Sequence, residues 1–123
     1  MAQLKGTTFS RLASLLGERS AMPIGNNTTA ERDGGAILIR LHGHAIVRLH
    51  EDSDELGNVD FTLAGYGTVT TRERVNQFTR AHGVNVCQHE GTQQVQLRYA
   101  DHATQDIYAD DWYNVATLYA GVS

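Results

Sequence analysis

The chain has 123 residues, of which 41% are hydrophobic and 20% are charged, a composition typical of a folded globular domain and not of a disordered chain. This length supports one hydrophobic core and is too short for two, so we expect a single domain spanning residues 1–123. The formal net charge of -4 disfavours nucleic acid as a partner, because proteins that depend on phosphate contacts are usually basic.

An amphipathic helix is predicted first, at about residues 7–20. Apolar side chains recur there with the spacing of one helix face, at Phe9, Leu12, Leu15 and Leu16. Thr7 or Thr8 can cap this helix, and Gly17 can end it. The segment has no apolar run long enough for a signal peptide or a membrane span, and a single cysteine, Cys87, fits a reducing compartment. We therefore expect a cytoplasmic protein without a membrane partner.

A β/α core is predicted at about residues 24–113, after a break at Met22-Pro23. It begins with a short polar strand and a turn at Asp33-Gly34-Gly35. Apolar and polar residues then alternate in three runs, at residues 37–41, 45–49 and 59–63, and an acidic loop at 51–58 separates the last two. This pattern predicts an antiparallel meander with one buried face.

A central helix is expected after the two glycines that bracket Tyr66, with Thr70 and Glu73 in capping-box relation and Gly83 at its end. Strands are predicted at 84–89 and 94–99, joined by a turn at 90–93. A turn at 101–105, a short extended piece and a capped helical turn at 110–113 follow. The predicted fold class is α+β, an antiparallel β-meander sheet with an N-terminal helix and one central helix.

The start of the central helix is the first candidate binding site. Helix N-termini attract anions, because their first N–H groups are unpaired and carry partial positive charge. Three hydroxyls, two guanidinium groups and one aromatic ring surround this start, from Thr68, Thr70, Thr71, Arg72, Arg74 and Tyr66. Together they would suit a phosphate with a base stacked beside it, and we expect Arg74 to be solvated in the free protein. A plain capping box with a solvated charged face remains the alternative.

Other constellations carry weaker signals. His42 and His44 lie two residues apart without a diagnostic ligand partner, so no metal site is predicted. Aromatic residues near the C-terminus accompany Arg98 and could stack bases, but the same residues are typical of a core or a subunit interface. No nucleophile elbow, telling carboxylate pair or dinucleotide fingerprint occurs. The sequence therefore predicts a binding protein that is not an enzyme and uses no cofactor.

Two long segments resemble a family of small phage-encoded proteins, over about residues 24–113. The shared features are Asn26-Asn27-Thr28, Leu41-His42, Gly65-Tyr66-Gly67-Thr68, Thr70-Thr71-x-x-Arg74-x-Asn76 and Asp111-Trp112-Tyr113. Tyr66 stands where tryptophan is expected in this family. Since Asn76 belongs to the motif and Arg98 to the aromatic set, both join the candidate ligand-binding residues.

Size, phage character and architecture also suggest similarity to the Thoeris anti-defence sponge family, without a residue-by-residue match of the pocket. Members of that family are oligomeric phage proteins that sequester cyclic ADP-ribose isomers and, in some cases, the cyclic oligonucleotides of CBASS defence. The resemblance implies a non-catalytic protein, at least a dimer, that binds a small nucleotide signal in the cytoplasm of the infected bacterial host. A protein-binding inhibitor of a host factor, acting through the acidic loop, and a single-stranded nucleic-acid-binding protein are the alternatives.

Overall fold

The computed structural model describes residues 4–122. Its helices are α1 (Phe9–Leu16), α2 (Ser53–Leu56), α3 (Val69–Thr79), which a 3-10 turn at Arg80–His82 extends, and α4 (Val115–Ala120). Its strands are β1 (Ala21–Gly25), β2 (Thr28–Asp33), β3 (Ala36–Leu41), β4 (His44–Leu49), β5 (Val59–Phe61), β6 (Val84–His89), β7 (Thr92–Leu97), β8 (Ala103–Asp106) and β9 (Tyr113–Asn114).

The strands form two antiparallel sheets. The larger sheet has the order β1-β2-β3-β4-β5-β9, and the smaller has the order β6-β7-β8. The predicted α+β class, with its N-terminal and central helices, is therefore confirmed. The meander prediction did not separate the two sheets, because α3 interrupts a succession of strands whose sequences have the same two-residue period.

Both sheets contribute to one hydrophobic core. Strands β3, β4 and β5 provide Ile37, Ile39, Val47, Leu49, Val59 and Phe61 from alternate positions, and the smaller sheet provides Val84, Val86, Val95 and Leu97. Helix α1 adds Leu12 and Leu16, and α3 adds Val75 and Phe78. The predicted helix face of α1 is thus the one that the protein buries.

Side chains of α3 cover the free edge of strand β6. The Asn76 amide donates to the carbonyl oxygen of Val86 at 2.9 Å and accepts from the Val86 N–H at 2.7 Å. The Thr79 hydroxyl donates to the carbonyl oxygen of Val84 at 3.0 Å. These bonds replace those that a neighbouring strand would make, so they satisfy the buried backbone and prevent another chain from pairing at this edge.

Several boundaries differ from the sequence prediction. Helix α1 ends at Leu16, before the expected residue 20, because the predicted stop Gly17 follows with a positive φ of 56°; strand β1 begins at Ala21. Pro23 lies inside β1, where a break was predicted; it is tolerated because β1 is the edge strand of the larger sheet. The predicted acidic loop at 51–58 contains helix α2. Its Asp54 carboxylate accepts the N–H groups of Phe9 and Ser10 at the start of α1.

Two elements near the C-terminus also lie at positions other than those predicted. The turn predicted at 101–105 is confined to its first residues, and β8 begins at Ala103; this edge strand is largely exposed and therefore lacks an apolar alternation. The helical turn predicted at 110–113 forms later, as α4 after the N-cap Asn114. Because Tyr113 and Asn114 pair with β5, their backbone is extended, and the helix begins only after them.

Candidate ligand-binding site

A cavity of about 400 Å³ lies where the β3–β4 turn, the segment after β5 and the start of α3 meet. Its floor is apolar, and its rim carries hydroxyl groups, imidazoles and one phenol. The lining residues are Leu41, His42, His44, Ile46, Leu63, Ala64, Tyr66, Thr68, Thr70 and Thr71. Four of the predicted site residues, Tyr66, Thr68, Thr70 and Thr71, are therefore brought together.

The N-cap of α3 is Thr68, two residues before the position that the capping-box pattern predicted. The Thr68 hydroxyl accepts the N–H of Thr71 at 3.3 Å, and the two hydroxyl oxygens are 3.0 Å apart. Thr70 consequently lies in the first turn rather than at the cap. Among residues 4–122, no partner accepts the backbone N–H groups of Val69 and Thr70, so these donors remain available beside the cavity.

An aromatic wall closes one side of the cavity. The Tyr66 hydroxyl lies 3.4 Å from Nε2 of His44, and the two ring centroids are 5.0 Å apart at an interplanar angle of 49°. Tyr66 is 49% exposed, which leaves part of its ring open to a ligand. The spacing of His42 and His44 indicated either a weak metal site or ordinary strand histidines, and gave no sign that both line this cavity. Within the described part of the chain, no cluster of three or more ligating side chains suits a metal ion.

The backbone around the cavity adopts an uncommon conformation at two non-glycine residues. His42 has a φ of 52° and Ala64 a φ of 54°, and each is followed by a glycine whose φ is 82°. The His42-Gly43 pair makes the tight β3–β4 turn, where asparagine is the usual first residue because it tolerates positive φ. Such strain tends to persist where function selects it, and here both strained residues line one cavity.

Arg72 points away from this cavity and joins two other segments. Its Nη1 donates to the carbonyl oxygen of Gly67 at 2.9 Å and to the side-chain oxygens of Gln88 and Gln93 at 2.9 and 3.1 Å. These bonds tie the β6–β7 hairpin to the loop before α3. The guanidinium is thus engaged within the fold rather than placed toward the predicted phosphate site.

Arg74 was expected to be solvated, and this expectation was wrong, because the residue is only 3% exposed. Its Nη2 makes one long bond of 3.4 Å to the carbonyl oxygen of Asn26, while Nε and Nη1 have no partner among residues 4–122. Nη1 lies against Gly25, which also packs against Leu4. Desolvation lowers the pKa of the Arg74 guanidinium from its ordinary value. The group lies in a shallow layer beneath the β1–β2 turn, one helical turn from Thr71, and not at the centre of the core.

The last two predicted site residues lie elsewhere. Asn76 is buried and uses both ends of its amide on strand β6, so its role in the fold is structural. Arg98 lines a different cavity, beyond the other end of α3. The predicted set of eight therefore divides into four cavity residues and four residues outside it.

Comparison with known proteins places the chain in a phage family. The family model described as Kyanoviridae Gp96 protein matches residues 22–119. The chain belongs to this family. No curated protein and no solved structure matches the chain. The similarity to a phage-encoded family that the sequence indicated is thus confirmed at this level.

The Gp96 match includes α3, every residue of the cavity and both sheets except Ala21, and it leaves α1 outside. The site of this Gp96 family member is accordingly built from the segment that the family model describes. None of the helices between residues 4 and 122 has the length and apolar character to cross a membrane.

Proposed function

We propose that this phage protein binds a small nucleotide signal in the cavity at the start of α3 and holds it without chemical turnover, as an anti-defence sponge. The observation that supports this best is the meeting of an aromatic wall, an apolar floor and unpaired N–H and hydroxyl donors in one concave site. Cyclic ADP-ribose isomers and cyclic oligonucleotides are the proposed ligands, in the cytoplasm of the infected bacterial host.

The chemistry of the two sides of the cavity fits the two parts of a nucleotide. A base can lie on the floor of Leu41, Ile46 and Leu63 and stack against Tyr66. The phosphate then reaches the free N–H groups of Val69 and Thr70 and the Thr70 hydroxyl. The volume of about 400 Å³ falls within the common range for small-molecule sites, roughly 300–1,000 Å³.

Arg74 adds a longer-range contribution to this proposal. No carboxylate among residues 4–122 pairs with its guanidinium, so its charge is uncompensated one helical turn from Thr71. A buried charge is weakly screened, and its potential therefore favours an anion at the adjacent helix start. This effect acts through space, in place of the direct contact that the sequence suggested.

Capture without turnover requires tight binding, because a sponge must lower the free concentration of a scarce signal. Nanomolar affinity corresponds to about 12 kcal/mol, and a charge-assisted hydrogen bond contributes about 1.5–3 kcal/mol. The cavity is open on one side, and one chain offers only a few such bonds. We therefore propose that the protein forms a homo-oligomer, at least a dimer, in which a second copy closes the site.

A second candidate function rests on a separate acidic groove of about 920 Å³. Five carboxylates line it, from Asp33, Glu51, Asp52, Asp54 and Glu55; Arg48 also lines it and pairs with Asp33, so the other four carboxylates make the groove acidic. A groove of this charge suits a basic segment of a host protein, as an inhibitor would require. Recovery of a host protein on the wild-type chain, and its loss when Glu51 and Glu55 are replaced by glutamine, would favour this function over nucleotide capture.

Calorimetric titration with cyclic ADP-ribose isomers and cyclic dinucleotides tests the first proposal. Tyr66→Ala should weaken binding by about 1–3 kcal/mol, the usual worth of one stacked base. Tyr108→Ala is the matched control, since Tyr108 is a 73% exposed tyrosine outside the cavity, and it should bind as the wild type does. Equal losses in both variants, or no heat with any of these nucleotides, would contradict the proposed site.

A further inference from the structure

A second cavity, of about 270 Å³, lies beyond the C-terminal end of α3. The 3-10 turn, the first residues of β6, the last part of β7 and the turn before β8 enclose it. Its lining residues are Arg80, Gly83, Val84, Asn85, Gln96, Arg98 and His102. None of them lines the cavity at the start of α3, so the two sites are separate.

The side chains of this cavity offer hydrogen-bond donors, and its only permanently charged groups are positive. Two guanidinium groups, an imidazole and two carboxamides face it, and no carboxylate is among its lining residues. Neither Arg80 nor Arg98 makes an ion pair or a side-chain hydrogen bond with any residue from 4 to 122. Other arginines of this acidic chain are engaged: Arg40 pairs with Glu31 and Arg48 with Asp33. Two arginines without a side-chain partner thus meet in one concave place that no carboxylate lines.

The fold holds these donors side by side. Antiparallel pairing of β6 with β7 sets Asn85 opposite Gln96, so their carboxamides are neighbours on one face of the smaller sheet. His102 and the preceding Asp101 both have positive φ, at 58° and 56°. Two consecutive non-glycine residues rarely adopt this conformation, and it brings the imidazole of His102 to the cavity.

An exposed aromatic ring adjoins the basic cavity. Tyr99 is 68% exposed, yet its position is fixed, because its N–H donates to the Tyr119 hydroxyl at 3.2 Å and its ring stacks on the Tyr119 ring with centroids 6.1 Å apart. The ring also covers Gly83, where an added Cβ would lie 2.5 Å from two ring atoms. Nucleotide-binding surfaces commonly combine a solvent-exposed aromatic ring with nearby arginines. Tyr99, fixed by its contacts with Tyr119, has this arrangement.

We propose that this second cavity binds a phosphate group of a nucleotide, with the nucleobase on the outer face of Tyr99. Arg80 and Arg98 contribute charge-assisted hydrogen bonds to the phosphate, and the carboxamides of Asn85 and Gln96 donate beside them. A free nucleotide and a single-stranded nucleic acid present the same phosphate and base. The proposal is independent of the cavity at the start of α3, because the residues that carry it are different.

Nuclear magnetic resonance titration of the ¹⁵N-labelled full chain tests this site, with ADP in one arm and a short oligothymidylate in the other. Binding at the second cavity shifts the amide signals of Gly83, Gln96 and His102, whereas binding at the first shifts those of His44, Tyr66 and Thr70. Failure of one site is therefore distinguishable from failure of the other. The arm that binds more tightly identifies the source of the phosphate.

Arg98→Gln should lower the affinity for either ligand by about tenfold or more, since the substitution removes one charge-assisted hydrogen bond. Arg11→Gln is the matched control, because Arg11 is exposed on α1, lies outside this cavity and contributes the same charge. It should leave the affinity within about twofold. Tyr99→Leu, which retains apolar cover over Gly83, should reduce binding of both ligands but not of inorganic phosphate.

Absence of shifts around Gly83 with either ligand, in a protein that keeps its native spectrum, would overturn the proposal. An equal loss of affinity in Arg98→Gln and Arg11→Gln would do the same, because it would indicate only the general charge of the surface.

Discussion

Replacement of Arg74 by methionine should stabilise the protein while weakening the nucleotide binding that we propose. Arg74 is 3% exposed, and its Nε and Nη1 have no hydrogen-bond partner among residues 4–122. An unsatisfied buried donor costs about 1–3 kcal/mol, and apolar replacement of buried ionic groups is often neutral or stabilising. Because the guanidinium lies in a shallow layer, we take the low end for each donor and expect a gain of about 2 kcal/mol.

Chemical denaturation measures this gain as a higher midpoint with an unchanged slope, and thermal denaturation should show an increase in Tm of about 8 °C for a domain of this size. Loss of the nearby charge should weaken nucleotide binding by about three- to tenfold. Arg11→Met, at an exposed position, should change stability by less than about 0.5 kcal/mol and leave binding unchanged. A loss of stability in Arg74→Met would refute the reasoning, since the guanidinium would then make favourable interactions within the fold.

Three further variants test the structural account by denaturation. Asn76→Ala leaves the N–H and carbonyl of Val86 unpaired and should cost about 2–4 kcal/mol, whereas Glu73→Ala, exposed on the same helix, should cost less than about 0.5 kcal/mol. Burial raises the pKa of Asp54, but hydrogen bonds from the start of α1 outweigh it and the net pKa is lowered. Its contribution is therefore present above about pH 4 and lost as the pH falls through the lowered value, so wild type and Asp54→Asn should differ at neutral pH and converge in acid. Ala64→Gly relieves a positive φ and should stabilise by about 0.5–1 kcal/mol; an unchanged or lower midpoint would show that Ala64 is unstrained.

Local patterns were sufficient for most elements of this fold. The spacing of Phe9, Leu12 and Leu16 predicted α1 and its buried face, and the two-residue alternation predicted β3, β4 and β5. Strand β8 was not predicted, because its residues are exposed at a sheet edge and show no apolar alternation. The division into two sheets depends on which strands pair across α3, and a local pattern does not contain that information.

The candidate site was only half predictable for the same reason. Thr68, Thr70 and Thr71 share one helix start, so their proximity follows from sequence distance alone. His42 and His44 reach the cavity through the tertiary arrangement of β3, β4 and α3, which residue spacing in the sequence does not predict.

The burial of Arg74 did have a signal in the sequence. Arg74 is three residues after Thr71 and four before Phe78, so all three lie on one face of α3, and Phe78 belongs to the core. The charge of Arg74 favours a solvated side chain, which is what we expected, whereas its position on this face agrees with the burial that the structure shows.

Recovery of the bound nucleotide after denaturation tests the central claim most directly. Purified protein is incubated with a cyclic ADP-ribose isomer, freed of excess ligand, heated, and the released material is separated by chromatography. The account predicts that the nucleotide is retained by the native protein and released chemically unchanged, with much less retained by Tyr66→Ala and a normal amount by Tyr108→Ala. Release of a hydrolysed product, or no retention of this ligand or of a cyclic dinucleotide by the wild type, would contradict it.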